Sequence, residues 1–314
     1  MNRPTWNGVY PALLTPFDER DEVDLSLFSK NIRAQVAAGV SGLIIGGSLG
    51  EASTLTRAEL KKLLVQAKEE ARNALPVIVN VAEQSTTEAI KAAREAEKEG
   101  ANGLMLLPPL RYRADDREAV EYLSAVAGNT SLPIMIYNNP WDYGITVSLD
   151  MFDQLARHEN IEAVKESTRD VSNVTRMKNR FGDRYRILCG VDTLTMEELM
   201  LGADGLVAGL VDAFPAETVT LFRLVKAGRY AEALELYRWF LPLLELDIHP
   251  KLVQYIKLAA SRTGLGSEYV RAPRLQLIGE ERERILSIIN QALETRPALA
   301  DYAEITSLES TGQV

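Results

Sequence analysis

Short apolar runs rich in Val, Ile and Leu alternate along most of the chain with longer stretches whose apolar residues recur at i, i+3 and i+4. The runs at 8–14, 42–45, 76–81, 103–107, 133–137, 161–164, 185–189 and 205–208 predict eight strands. Between them, 24–38, 57–73, 86–99, 116–127, 149–157, 171–180 and 194–201 carry the helical period. Strands that are apolar on both faces need cover on both faces, so this alternation predicts parallel pairing. Eight such units fit a closed (β/α)8 barrel better than an open doubly wound sheet.

The joints agree with this reading. Gly39, Gly100, Gly128 and Gly202 fall near helix ends, where a left-handed cap is expected. Pro76 and Pro133 open strands, where no backbone donor is lost, and Ser148 or Thr146 is placed to cap the helix that follows. After Phe214 the alternation stops, and 216–226, 230–246, 250–263 and 280–295 all read as helices, separated by Gly228, 249–250 and 264–266. The expected fold class is therefore α/β, a (β/α)8 TIM barrel with a C-terminal all-α extension. Residues 1–227 form the catalytic barrel in this division, 228–300 a helical region, and 301–314 a polar, aperiodic tail expected to fray.

Composition narrows the chemistry. The 314 residues carry a formal net charge of −9, which gives no Lys/Arg excess for gripping a nucleic-acid backbone. One cysteine, Cys189, excludes an internal disulfide and a multi-cysteine zinc site. His158 and His249 have no partner at ligand spacing, so no metal is expected. The N-terminal stretch lacks a secretory apolar core, and no run approaches the roughly 20 apolar residues of a membrane span. A soluble cytoplasmic protein with no nucleic-acid or membrane partner is the expectation.

In a barrel of this kind reactive groups gather at the C-terminal ends of the strands. The sixth strand runs into Lys165, whose amine there is partly desolvated and enriched in the neutral, nucleophilic form. The competing reading is a lysine that reaches solvent or pairs with Glu166. The fifth strand ends in Tyr137, a phenol able to relay protons beside such a lysine, or simply a strand-end tyrosine with a wet hydroxyl. The second leads into GGSLGE at 46–51, where successive amides of Gly47, Leu49 and Gly50 and the Ser48 hydroxyl suit a carboxylate. The missing Lys–Ser/Thr ending excludes a P-loop. After the fourth strand, Arg111 and Tyr112 are candidate substrate contacts, with a solvated arginine as the competing reading. Gly190 and Gly209 are read as giving a substrate room at strand ends, Glu51 as holding loop amides, Cys189 as a small buried hydrophobe and His249 as a structural imidazole.

Together GGSLGE at 46–51, YNNP at 137–140 and AVKES at 163–167 resemble the dihydrodipicolinate synthase / N-acetylneuraminate lyase family of class I aldolase-like enzymes, over nearly the whole chain. The resemblance implies that Lys165 is the Schiff-base lysine, Tyr137 the proton relay, and Ser48 with the amides of 47–50 the carboxylate binder. It also implies a homotetramer, and chemistry through the covalent lysine imine with no metal or organic cofactor. Three departures bear on the substrate. Leu49 stands where many members carry a second threonine, Leu110 and Arg111 where the synthase has paired tyrosines, and Asp142 where the synthase has an arginine for its second substrate's carboxylate. Trp141 and Tyr143 imply a differently shaped mouth.

With LDIHPKLVQYIKLA at 246–259, the motifs resemble the 1-pyrroline-4-hydroxy-2-carboxylate deaminase branch. The expected partner is thus a small 2-oxo acid or its cyclic imine, opened by Lys165, dehydrated and hydrolysed to 2,5-dioxopentanoate and ammonia. The rivals are an aldolase for a 4-hydroxy-2-oxo acid or 2-keto-3-deoxy sugar acid, dihydrodipicolinate synthase activity, a sialic-acid lyase whose polyol lacks partners here, and a catalytically silent sensor.

Overall fold

The computed structural model describes residues 2–72, 74–109 and 112–299. Eight parallel strands form one sheet in the order β1-β8-β7-β6-β5-β4-β3-β2. They are β1 (Gly8–Pro11), β2 (Leu43–Ile45), β3 (Val77–Val81), β4 (Gly103–Leu106), β5 (Ile134–Asn138), β6 (Ile161–Glu166), β7 (Arg186–Cys189) and β8 (Gly205–Ala208). The seam between β1 and β2 closes through an Ala12–Ile44 bridge and through the Leu13 amide donating to the Ile44 carbonyl at 2.9 Å. The sheet is therefore a barrel without an open edge. All eight strands are buried along nearly their whole length, as their unbroken apolar runs require.

The outer ring is α1 (Leu25–Ala38), α2 (Arg57–Glu70), α3 (Thr86–Lys98), α4 (Asp116–Ala127), α6 (Leu149–Leu155), α7 (Ser172–Phe181), α8 (Thr195–Met200) and α9 (Pro215–Lys226). A single extra turn, α5 (Pro140–Tyr143), interrupts the link from β5 to α6. Beyond the ring lie α10 (Tyr230–Leu244), a 3-10 turn Glu245–Ile248, α11 (Leu252–Arg262) and α12 (Gly279–Glu294). No helix of the described residues is long and apolar enough to cross a membrane.

Local chemistry sets several boundaries. Ser148 caps α6 by accepting from the Met151 amide at 3.3 Å, and Asp115 and Thr56 close capping boxes on α4 and α2. Gly39 ends α1 in the left-handed region at φ 86°, and Gly100 and Gly202 follow suit. Gly128 does not: its φ of −72° is right-handed, because the last turn of α4 closes onto it as a continuation of the helix. β6 also extends past Val164, since Lys165 and Glu166 pair with Leu188 and Cys189 of β7. Lys165 is thus inside the ladder and not in the loop after it. Arg111, Leu110 and the tail at 301–314 lie outside the described residues.

Candidate active site

Tyr137 and Lys165 are register partners on adjacent strands β5 and β6. Side chains alternate along a strand, so both turn to one face while Asn138 and Glu166 turn to the other. Glu166 is buried there, accepting from the amide of Thr168 at 2.8 Å and from Asn173 at 2.8 Å, which leaves it unavailable as an ion partner on the lysine's face. The Lys165 ammonium lies 4.0 Å from the centroid of the Tyr137 ring. Only 7% of the lysine is exposed, which overturns the solvent-reaching alternative. Burial pulls its pKa down from the ordinary lysine value, opposed by Asp247, Tyr143 and Asp192.

These two side chains open into a cavity of about 680 Å³, counting the space that joins solvent. Its walls include Gly47, Ser48, Leu49, Tyr137, Asn139, Asp142, Tyr143, Lys165, Ser167, Arg169, Gly190, Gly209 and Asp247. Ser48 hydrogen-bonds the Tyr143 hydroxyl, and Tyr143 meets the Tyr137 ring edge-on at 5.5 Å between centroids. Hydroxyls from the loop after β2 and from α5 are thereby tied to the phenol beside the lysine. Burial pushes both phenols well above the ordinary tyrosine value, so each holds its proton and is a donor at neutral pH. The Asn139 amide donates to the Tyr137 oxygen at 3.1 Å and to Asp142 at 2.7 Å, fixing the position of both.

The strand-end glycines make the room. A Cβ on Gly190 would sit 2.7 Å from Cγ of Lys165 and 2.1 Å from Oγ of Ser167. One on Gly209 would sit 2.6 Å from Oδ1 of Asp247. The Gly209 and Leu210 amides are themselves held by Asp192, at 3.1 and 2.8 Å.

Two expected contacts lie elsewhere. Gly50 is absent from the cavity wall because its carbonyl turns to accept from Thr15 at 2.8 Å, and a Cβ there would strike the Leu13 carbonyl at 2.8 Å. Tyr112 is 57% exposed and takes no part in the wall. Glu51 reaches away from its own loop, to Lys257 and to the amide of Arg271 in the loop before α12 at 3.1 Å. Cys189 is buried and its thiol, raised by burial, donates to the Val191 carbonyl, while His249 stacks on Tyr255 at 4.5 Å.

Sequence reasoning missed Asn139, Ser167, Arg169, Asp192 and Asp247. Ser167 and Asn139 lie within two residues of Lys165 and Tyr137, so strand periodicity alone would have found them. Arg169 has φ 61°, an unusual left-handed arginine that no pattern announces. Asp247 arrives from the turn after α10 and owes its place to packing of distant helices.

A buried amine of lowered pKa, two protonated phenols and a hydroxyl-and-amide loop form a set able to make and protonate an imine. Residues 5–292 match the dihydrodipicolinate synthetase family. The 4-hydroxy-tetrahydrodipicolinate synthase of Exiguobacterium sibiricum is 33% identical over 276 residues, covering 87% of this chain and 92% of its own. The solved 4-hydroxy-tetrahydrodipicolinate synthase of Methylacidiphilum fumariolicum SolV superposes with a TM-score of 0.89 at 28% identity, covering 95% of this chain and 99% of that one. A chloride-inhibited dihydrodipicolinate synthase of Acinetobacter baumannii, solved with pyruvate, has a TM-score of 0.86 at 25% identity, covering 92% and 99%. With the match running from before β1 through most of α12, the chain belongs to the dihydrodipicolinate synthetase family of lysine Schiff-base, class I aldolase-like lyases.

Proposed function

We propose that this enzyme forms a Schiff base between Lys165 and C2 of a small 2-oxo acid or its cyclic imine, and that its substrate is 1-pyrroline-4-hydroxy-2-carboxylate. The observation that carries the choice is the Asp142 carboxylate, which lines the cavity together with Lys165 and Ser48. A second substrate bearing its own carboxylate meets repulsion there, whereas a hydroxyl or an iminium meets an acceptor. The one carboxylate of the cyclic imine is assigned to the Ser48 loop.

Lys165 attacks C2 and the C2–N ring bond opens, with Tyr137 supplying the proton that the departing nitrogen takes. The lysine iminium acidifies C3. Loss of the C3 proton and of the 4-hydroxyl as water follows, and hydrolysis yields 2,5-dioxopentanoate and ammonia. The substrate plus one water balances the two products. Leu49 gives the methylene side of the ring an apolar neighbour.

The relatives' names support a second reading, formation of 4-hydroxy-tetrahydrodipicolinate, and Arg169, 5.0 Å from the Trp141 ring at the same cavity, is the cation it would use. Parallel assays separate them. Ammonia and 2,5-dioxopentanoate from the cyclic imine support the deaminase, and pyruvate-dependent formation of 4-hydroxy-tetrahydrodipicolinate without ammonia release replaces it with the synthase.

A further inference from the structure

We propose that Asp247 is the catalytic acid that protonates the departing 4-hydroxyl, and thereby commits the lysine-bound intermediate to elimination instead of cleavage of the C3–C4 bond. This rests on the deaminase reading above and adds the chemistry of its second half.

The geometry comes from Gly209. Oδ1 of Asp247 lies 2.6 Å, and Cδ2 of Leu49 3.3 Å, from the point where a Cβ at Gly209 would stand. The carboxyl of the turn after α10 and the side chain next to Ser48 therefore share one wall at the end of β8, in the cavity that Lys165 enters. A substrate with its carboxylate at Ser48 and C2 on Lys165 has C4 as the next centre for that wall to meet.

The charged and titratable neighbours come from every side. Lys165 of β6, Asp192 after β7, Asp142 of α5 and Tyr137 of β5 all act on the Asp247 carboxyl or feel its charge. Burial first, then the negative charges of Asp192 and Asp142, push its pKa well above the carboxylate range, against the pull of Lys165 and the Asp192 amide. A carboxyl holding its proton at neutral pH can donate to a leaving hydroxyl. It cannot take the 4-hydroxyl proton, the step with which a retro-aldol cleavage begins.

The Tyr137 phenolate left by ring opening takes the C3 proton, and that electron pair forms the C2=C3 bond of a neutral enamine. The enamine pair then forms C3=C4 as the lysine iminium is restored. The C4–O bond breaks and its electrons take the Asp247 proton, releasing water. The Asp247 carboxylate then takes a proton from C5: that pair forms C4=C5, the C3=C4 pair moves to C2=C3 and the iminium pair returns to the lysine nitrogen. The Tyr137 phenol gives its proton to C3 as the lysine iminium re-forms, and the Asp247 carboxyl gives its proton to C4 as the lone pair of the C5 amine forms the C5=N iminium. Hydrolysis of the two iminiums frees the aldehyde, ammonia and Lys165 and returns one proton each to Tyr137 and Asp247. No oxidant or cofactor enters.

The test compares the wild type with Asp247→Asn and Asp247→Glu, folded state checked by circular dichroism. Each is given 1-pyrroline-4-hydroxy-2-carboxylate or pyruvate, reduced with borohydride and mapped by mass, with ammonia assayed in parallel. For Asp247→Asn, ammonia release is expected to fall by about 100-fold or more, the range of a lost acid catalyst. Pyruvate still labels Lys165, and the adduct of the cyclic substrate retains its hydroxyl. Asp247→Glu restores part of the rate, and the alkaline fall in wild-type kcat vanishes in Asp247→Asn. Ammonia release within threefold of wild type in Asp247→Asn overturns the proposal. So does loss of the pyruvate adduct in that variant, which would assign Asp247 to imine formation. A wild type that labels Lys165 but releases no ammonia removes the deaminase reading and this step with it, whereas absence of any Lys165 adduct is failure of the Schiff-base reading itself.

Discussion

Glu51, at the end of the loop that follows β2, pairs with Lys257 of α11 where both side chains are all but sealed from solvent. The backbone of Glu51 is left-handed at φ 57°, a conformation a non-glycine residue keeps only when its surroundings hold it. Lys257 also donates to the Tyr269 carbonyl at 2.6 Å and lies 4.3 Å from the Phe17 ring centroid. Burial lowers its pKa to about 8 against the pull of Glu51. The C-terminal helices thus clamp the loop that carries Ser48.

Removing one partner of this pair strands a buried charge. Glu51→Gln or Lys257→Met is expected to cost roughly 3–5 kcal/mol, read as a lower midpoint in denaturant titration. The loop loosens with it, so KM for the substrate rises more than kcat falls. A double replacement by apolar residues that recovers stability but not KM would separate the clamp's structural part from its effect on the loop.

Glu198 offers a test by pH. It is fully buried, neither carboxyl oxygen finds a hydrogen-bond partner, and burial with the nearby Glu166 charge raises its pKa to about 9. The folded state keeps this group neutral while the unfolded chain ionises it from 4.5 upward, so its stabilising share is complete below 4.5 and is lost as pH rises toward about 9. Glu198→Gln should therefore flatten the fall of Tm with pH across that window and raise Tm at its upper end. An unchanged pH slope would mean that Glu198 is ionised in the fold.

Gly190 is small because Lys165 passes it. In Gly190→Ala the new Cβ collides with Cγ of Lys165 at 2.7 Å and Oγ of Ser167 at 2.1 Å, so the lysine must leave its rotamer. Imine trapping should fall by at least about tenfold, since misplacing a reacting group by roughly 1 Å costs on this scale or more. Circular dichroism should remain that of the wild type. Full trapping in this variant would show that the lysine position is not set by that glycine.

Tyr137→Phe keeps the edge-on ring contact with Tyr143 and removes only the hydroxyl. A kcat lower by roughly 10²–10³ with KM little changed is expected for a lost proton relay. Steady-state kinetics in buffer with and without a small phenol or imidazole would show whether an external proton carrier restores part of the rate.

What was legible in the sequence divides by distance along the chain. Lys165, Tyr137 and Ser48 each end a short apolar run, and parallel pairing brings such ends to one mouth, so local pattern sufficed to gather them. Strand bounds were less secure: β6 outlasts its apolar run because backbone pairing with β7 continues under the charged Lys165 and Glu166. Gly128 closes a helix without a left-handed turn, a difference of backbone geometry invisible in composition. Asp247 was beyond reach for another reason. It is an ordinary acid after a helix, and only the packing of the turn Glu245–Ile248 against Gly209 makes it part of the cavity. Gly50 erred in the opposite direction, since its place in a glycine-rich motif concealed that it serves the contact with Leu13.

The most direct measurement is borohydride reduction of the enzyme with pyruvate and, separately, with 1-pyrroline-4-hydroxy-2-carboxylate, across a pH series, followed by peptide mass mapping. A single adduct on Lys165, absent in Lys165→Arg and forming with a midpoint below the ordinary lysine value of 10.5, is the expected result. An adduct on another lysine, or none from either compound, would contradict the assignment of Lys165 as the group that forms the imine.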